Sequence, residues 1–278
     1  MSIVNSILMT VFNRPTRVLW NTLHALRQND LTNCEIIIVD DGSTIDYECQ
    51  KQFCQQYEMP VRWVRIESSE YPDWTYTVPH PDGGVINNPA LAMNRAIAES
   101  KGRRLMFLSS DCMIPRFGIA QAKKCSDYYW LAAIVDQASN LMYVCVERPI
   151  PLHFFASCKK EHVEAIGGFD ENYLRGIAYE DNDFGARLGL YCRHVVFDME
   201  VMVMHQSHPP HNYSDSGIGL RNNEEYTKAK WGSCVPWNCR RDTDSIELNI
   251  VKGKERFTCN PVLKQGFPDP LDGKRRPA

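Results

Sequence analysis

The first hundred residues alternate between unbroken apolar runs and stretches with a helical repeat. Ile3 to Phe12 is an apolar run, and Val18, Leu19, Leu23 and Leu26 recur at helical spacing between Thr16 and Gln28. The first pattern predicts a strand and the second an amphipathic helix. EIIIVD at 35–40 predicts a second strand, followed by a polar helix over about 46–57 and a β-rich run, VRWVRI, at 61–66. NNPALAMNRAIAESKG starts a helix with Asn88 as N-cap and Pro89 in the first turn, and Gly102 stops it. RRLMFLSSD is another buried strand. Strands this apolar, alternating with helices, predict a Rossmann-like α/β architecture with a mostly parallel central sheet flanked by helices.

The second half is less regular. YYWLAAIVDQ, MYVCVERPI and RHVVFDMEVMVMH read as strands, ASCKKEHVEAIGGFD as a helix, and a further helix begins near Tyr179 with Arg187 and Leu188 late in it. Between Ser68 and Asn87 the chain is rich in Pro, Gly and aromatics, and a loop of that length in a compact domain is functional or mobile. Beyond Pro209 the composition turns loop-like, and 252–278 carries seven Lys/Arg against three Asp/Glu. The expected organisation is a domain over 1–208, with halves at 1–112 and 113–208, and a C-terminal extension over 209–278, a solvated or wrapping segment or a lid.

Composition narrows the classes. The 278 residues carry a net charge of -3, which gives no support for bulk attraction to nucleic acid or an anionic membrane. Eleven cysteines without a C-x-x-C pair predict reduced thiols rather than a disulfide framework. Cys234 and Cys239 are the nearest approach to a metal knuckle. No window reaches the roughly 18 apolar residues of a membrane helix, so no transmembrane segment is expected. MSIVNSILMTVFNR is interrupted by Asn5 and Ser6 and lacks the basic start of a signal peptide. A cytoplasmic location is the expectation.

Ligands of open parallel sheets bind beyond the carboxyl ends of the strands. Three such ends are polar here: TVFNRP, DDGST and SSDC. Asp40 and Asp41 can accept hydrogen bonds from a base or a ribose while Gly42 allows a tight turn. The alternative is that one of them caps the next helix and the other is solvated; the expectation is that one binds ligand and the other caps.

Four blocks in order, ILMTVFNRP, EIIIVDDGST, NPALAMNRAIAESKGRRLMFLSSD and AIGGFDENYLRGIAYEDNDFGARL, resemble the nucleotide-sugar glycosyltransferases of family 2, with the GT-A fold. The resemblance spans about residues 3–208. It implies that Thr10, Val11, Asn13, Arg14 and Asp40, with Asp41 close by, hold the nucleotide, and that the carboxylates read uracil or a similar base. Asn94 and Gly168 join the donor side, where Gly167 and Gly168 form a turn beside the sugar. The family's Asp-x-Asp motif falls on Ser109, Ser110 and Asp111, so its first carboxylate is a serine that can bond a ribose but ligates metal poorly. Asp111 keeps the metal-binding position for Mn²⁺ or Mg²⁺, which stabilises the charge on a departing diphosphate. VMVMHQSHPPH offers further ligands, His205 first, His208 second, with His211 beyond them. In IAYEDNDF, Asp181 is the implied general base, Glu180 a holder of the acceptor and Asp183 a competing candidate. All three also suit a helix N-terminus through its dipole alone. Trp74, Tyr76 and Trp130 can stack on a sugar or base, or belong to the core.

The expected function is therefore inverting, divalent-metal-dependent transfer of a sugar from a nucleoside-diphosphate sugar, a UDP-sugar in first place, to an acceptor hydroxyl. For the acceptor, the resemblance implies a glycan precursor as the usual choice, with a protein, a small metabolite or a modified nucleic acid as alternatives. One rival is a non-catalytic nucleotide- or glycan-binding protein, suggested by Ser109. Another is a sugar-phosphate nucleotidyltransferase, against which stands the absence of glycine in TVFNRPTR. A dehydrogenase would need G-x-G-x-x-G, which is missing.

Overall fold

The computed structural model describes residues 3–80, 83–124, 128–145, 149–208 and 217–233, and the backbone of strands at 237–241 and 254–261. In chain order the amino-terminal half comprises β1 (Asn5–Val11), α1 (Thr16–Arg27), β2 (Cys34–Asp40), α2 (Glu48–Gln56), β3 (Val61–Arg65), the short pair β4 (Val78–Pro79) and β5 (Val85–Ile86), α3 (Ala90–Glu99) and β6 (Arg104–Leu108). β7 (Cys112–Met113), α4 (Gly118–Ala122), β8 (Tyr129–Asp136), β9 (Met142–Val144), β10 (Phe155–Lys159), α5 (Lys160–Ala165), α6 (Glu180–Cys192) and β11 (His194–His205) follow. The chain then adds α7 (Ile218–Trp231), β12 (Trp237–Arg241) and β13 (Lys254–Pro261).

One eleven-stranded sheet runs β12-β13-β11-β8-β10-β6-β1-β2-β3, with β7 on β11 and β9 on β8. The amino-terminal part is parallel, β3, β2, β1 and β6 all pointing one way, as the alternation predicts. All seven residues of β2 are buried, which is why its apolar run does not alternate. Each buried Ile or Val there contributes about 1.5–3 kcal/mol. Beyond β6 the sheet is mixed: β10 runs antiparallel to both β6 and β8, while β8 and β11 are parallel to each other.

Two elements differ from the sequence expectation. The first residues of ASCKKEHVEAIGGFD form β10 rather than helix, because Phe155, Ala156, Ser157 and Cys158 are wholly buried between two strands. Past residue 209, where the composition reads as loop, α7 is a fourteen-residue helix and β12 and β13 extend the sheet. The inner stripe of α7 is Gly219, Asn223, Thr227 and Trp231, spaced by four. Three of these are polar or small, so the helix shows no apolar periodicity. Much of 209–278, including His211 and Cys234, lies outside the described residues, and at Cys239 only the backbone is described. Seven described cysteines are free thiols. Among the described residues no helix is long and apolar enough to cross a membrane.

Candidate active site

The carboxyl ends of β1, β2 and β6 open onto a cavity of about 240 Å³. Thr10, Val11 and Arg14 reach it from β1, Asp41 from β2, and Ser109 and Ser110 from β6, while Glu180 and Asp181 close it from the start of α6. Thr22 of α1 stitches this rim together. Its hydroxyl donates to the Ser110 carbonyl at 3.0 Å and accepts from Gln206 Nε2 at 3.0 Å, and Gln206 N donates to the Asp111 carbonyl at 2.9 Å. The ends of β6 and β11 are therefore held side by side.

At that junction Asp111, His205 and His208 converge, their ligand atoms all within 4.8 Å of one another. Asp111 Oδ2 is 3.6 Å from His205 Nε2 and 3.2 Å from His208 Nε2. Neighbouring ligands of an octahedral ion held at about 2.1 Å stand about 3 Å apart, so the spacing suits a divalent cation. The groups behind the imidazoles fit as well. His205 Nδ1 lies 3.1 Å from Asp136 Oδ1, which turns Nε2 toward the cluster, the carboxylate–histidine arrangement common behind metal-binding imidazoles. Hydrogen bonding to Asp111 raises the pKa of His205, against its partial burial. Asp136 is pulled down to about 2 by hydrogen bonds from Ser139 and His205. Ser109, in the position of the missing carboxylate, donates its hydroxyl to Asp111 Oδ1 at 2.7 Å. Arg14 stands on the same carboxylate, Nη2 being 3.0 Å from Asp111 Oδ2 and Nη1 2.6 Å from His208 Nε2. Burial works to raise the Asp111 pKa, but Arg14 and the two imidazoles outweigh it and hold the carboxylate well below its ordinary value.

Across the cavity the chain takes two consecutive left-handed residues, Ala178 (φ 61°) and Tyr179 (φ 69°), before α6 begins. Such backbone in non-glycine residues costs of order 1–3 kcal/mol each and is held by its surroundings. Asn88 and Asn223 both donate to the Ala178 carbonyl, at 3.3 and 2.8 Å. The turn delivers Glu180 and Asp181 into a buried setting, where desolvation raises both pKa values and Asp181 adds to the rise at Glu180. Asn88 Nδ2 donates to Glu180 Oε2 at 2.7 Å, leaving Asp181 with a backbone partner, the Asn182 N–H at 2.7 Å. A carboxylate whose proton affinity is raised toward neutrality suits general-base work.

Other expected site residues lie elsewhere. Asp40 does not line the cavity: Oδ1 accepts from Ser43 N at 2.9 Å and Oδ2 pairs with Arg65 at 2.8 Å, so it fastens the turn that Gly42 (φ 76°) begins. Asp41 is the carboxylate that faces inward. Burial raises its pKa to about 6, offset in part by the Tyr71 hydroxyl that donates to it. Asn13 is also a fastener, accepting from Thr44 N at 2.8 Å and donating to the Gly83 carbonyl at 3.0 Å. Asn94 grips the Phe169 backbone, N–H to Oδ1 at 2.8 Å and Nδ2 to the carbonyl at 2.9 Å. Gly168 (φ 69°) packs so closely on it that a Cβ would lie 2.6 Å from Asn94 Oδ1. Both sit outside the main cavity. Asp183 is fully buried and bound to Arg187 at 2.6 Å, Lys230 at 2.7 Å and Trp231 Nε1 at 2.9 Å, a structural knot with no face toward the cavity. Trp130 is core, its Nε1 donating to Asp198. Trp74 is exposed beneath Arg175, and Tyr76 packs on the small cluster of Val78, Ile86 and Ile177. The sequence reading omitted Asp136, Tyr71 and His153, and it placed Asn88 only as a helix cap, which it is through Ala90 N, without its bond to Glu180. Asp136 alone had a signal, the polar end of an apolar strand.

The fold and the carboxylate-lined cleft define an α/β domain whose cavity lies at the carboxyl ends of its parallel strands. More particularly, residues 6–70 match the family model for glycosyl transferase family 2, in line with the resemblance read from the sequence. No curated protein sequence matches the chain. Among solved structures, S. aureus TarS 1–349 in complex with UDP-GlcNAc superposes with a TM-score of 0.62 at 15% identity, covering 81% of this chain and 64% of that one. GalNAc-T7 with UDP, GalNAc and Mn²⁺ gives 0.58 at 15% identity, covering 82% and 49%. The mannosyltransferase PcManGT from Pyrobaculum calidifontis, with GDP-Man and Mn²⁺, gives 0.54 at 14%, covering 79% and 61%. The chain thus has the GT-A fold of these structures, carries the family 2 match over residues 6–70, and spans less than two thirds of the length of each of them.

Proposed function

We propose that the protein is an inverting glycosyltransferase that moves a sugar from a nucleoside-diphosphate sugar, UDP-linked in first place, to an acceptor hydroxyl, with a divalent cation, in the cytoplasm. The observation that carries this reading is a single cavity lined by the inward carboxylate of Asp41 and by the buried pair Glu180 and Asp181, with the metal-type cluster starting at Asp111, next in sequence to the lining residue Ser110. Asp41 accepts a hydrogen bond from the base, Asp40 being occupied by Arg65. Complexes of similarly folded proteins with UDP-GlcNAc and with Mn²⁺ support the donor and cation classes, and PcManGT with GDP-Man keeps GDP-sugars as the alternative.

Asp111, His205 and His208 would hold the cation, and two imidazoles favour Mn²⁺ over Mg²⁺. When bound, the ion supplies positive charge against the diphosphate as it leaves. Arg14, already on this rim, adds a second positive charge there. Asp181 takes the proton of the acceptor hydroxyl as the oxygen attacks the anomeric carbon from the face opposite the leaving group. The C–O bond to phosphate breaks as the new one forms, and configuration inverts. Glu180, held by Asn88, orients the acceptor.

The test is release of nucleoside diphosphate from UDP-, GDP- and dTDP-sugars with and without Mn²⁺. Wild type should turn over one donor in a metal-dependent way, Asp111→Ala should lose the metal response, and Asp181→Asn should fall by about 10²–10⁴-fold while still binding donor. Absence of turnover and of donor binding across the panel would replace this reading with that of a binding protein.

A further inference from the structure

One wall of the cavity is the segment Leu152–Phe154, which leads into β10 and faces Glu180 and Asp181. Its position is fixed from two sides. Ser109 N donates to the Phe154 carbonyl at 2.8 Å, and α6 presses on the backbone just upstream, where a Cβ on Gly185 would lie 2.0 Å from the Pro151 carbonyl oxygen. Leu152 and Phe154 present apolar surface, so His153 is the polar side chain of this wall.

The imidazole sits edge-on among three phenylalanines, Phe107, Phe169 and Phe184, at centroid distances of 5.6, 5.1 and 5.7 Å. Phe169 and Phe184 are themselves stacked at 3.9 Å, so the cage is rigid. Nδ1 is enclosed and has no hydrogen-bond partner. Nε2 also has no partner among the described residues, but it is not enclosed, and the ring lines the cavity. A phenylalanine would fill the same cage without the desolvation cost of an unpartnered polar group. Orphaned polar groups of this kind call for a reason, and the cavity supplies one. Burial pulls the imidazole's pKa down to about 4, so the ring is neutral near pH 7. It is therefore neither a counter-charge for diphosphate nor a general acid there. What it offers is a directed hydrogen bond to a neutral group.

We propose that His153 is a specificity-determining residue whose Nε2 hydrogen-bonds a hydroxyl of the donor sugar, fixing its orientation in front of Glu180 and Asp181. This rests on the transferase reading above. Arg14 and the Asp111 cluster serve the diphosphate and Asp41 the base, so the interaction is felt by the sugar and not by the nucleotide. A hydroxyl both donates and accepts, and either imidazole tautomer satisfies it.

The test is calorimetry and steady-state kinetics on wild type, His153→Phe and His153→Gln with Mn²⁺, free nucleoside diphosphate, and the donor that wild type prefers paired with its hydroxyl epimers. His153→Phe keeps the aromatic packing and should bind free diphosphate within about twofold of wild type. It should lose about tenfold in kcat/KM for the preferred sugar, with its preference over one epimer collapsing toward unity. His153→Gln should recover part of that preference. Equal weakening of diphosphate and nucleotide-sugar, or unchanged epimer discrimination in both variants, would overturn the proposal while leaving the transferase reading in place. A wild type that binds no nucleotide-sugar overturns both.

Discussion

On the proposed reading, Arg14 and a divalent cation compete for the same carboxylate. The guanidinium lies 3.0 Å from Asp111 Oδ2, with side-chain exposures of only 12% and 5%, and also contacts His208. An ion entering between Asp111, His205 and His208 has to displace it. A hydrogen bond between charged groups contributes about 1.5–3 kcal/mol net. Removing it with Arg14→Gln should therefore tighten Mn²⁺ binding by about 10- to 100-fold in the absence of donor. The same substitution leaves Asp111 buried without its positive partner, which costs about 3–5 kcal/mol of stability. The variant should melt well below wild type in EDTA and regain most of the difference in Mn²⁺. Titration calorimetry, or electron paramagnetic resonance of free Mn²⁺, measures the affinity, and thermal unfolding in each buffer measures the linkage. If Arg14→Gln binds Mn²⁺ no more tightly than wild type, the guanidinium and the ion do not share a place and the argument fails.

Two further predictions concern carboxylates with different duties. Asp41 has its pKa raised from 3.8 to about 6, chiefly by burial, with Tyr71 and Asp40 its charged or hydroxyl neighbours. Its protonated form is thus favoured by folding: that contribution is complete below about pH 4 and is lost as pH rises through 6, amounting to about 3 kcal/mol. Urea unfolding from pH 4 to 7 should show wild type losing stability relative to Asp41→Asn over this window, and parallel curves would refute the assignment. Asp183→Ala should destabilise the fold by about 3–5 kcal/mol, because Arg187 and Lys230 lose a buried counter-charge. Donor binding by the folded fraction should be unchanged, whereas a loss confined to turnover at full stability would return Asp183 to the list of candidate bases.

Much of the amino-terminal half was legible because its physics is local. A strand buried on both faces writes an unbroken apolar run, as Ile36–Val39 does, and the run stops where the rim begins. The segment at Phe155–Cys158 was not legible as strand. Four buried residues followed at once by Lys159, Lys160 and a true helix read as one helical pattern, and only the neighbouring strands decide otherwise. Helix α7 was hidden for the opposite reason, since its buried stripe is held by hydrogen bonds at Asn223 and Thr227 rather than by apolar surface. The Asp40–Asp41 pair could not be divided between duties from sequence alone, because the partner that claims Asp40, Arg65, is twenty-five residues away.

The knot between Asp183, Lys230 and Trp231 also bears on how the protein is made. Chains leave the ribosome amino terminus first, and elements with local partners fold as they emerge. The strands β1, β2, β3 and β6 find one another within the first 108 residues. The turn that carries Glu180 and Asp181 has its carbonyl at Ala178 gripped by Asn223, and Asp183 in α6 has Arg187 of the same helix but neither Lys230 nor Trp231 until α7 arrives. A nascent chain halted just after β11 would therefore hold a formed parallel platform beside an unfinished turn at Glu180 and Asp181, and the complete cavity would appear only once α7 is clear of the exit tunnel.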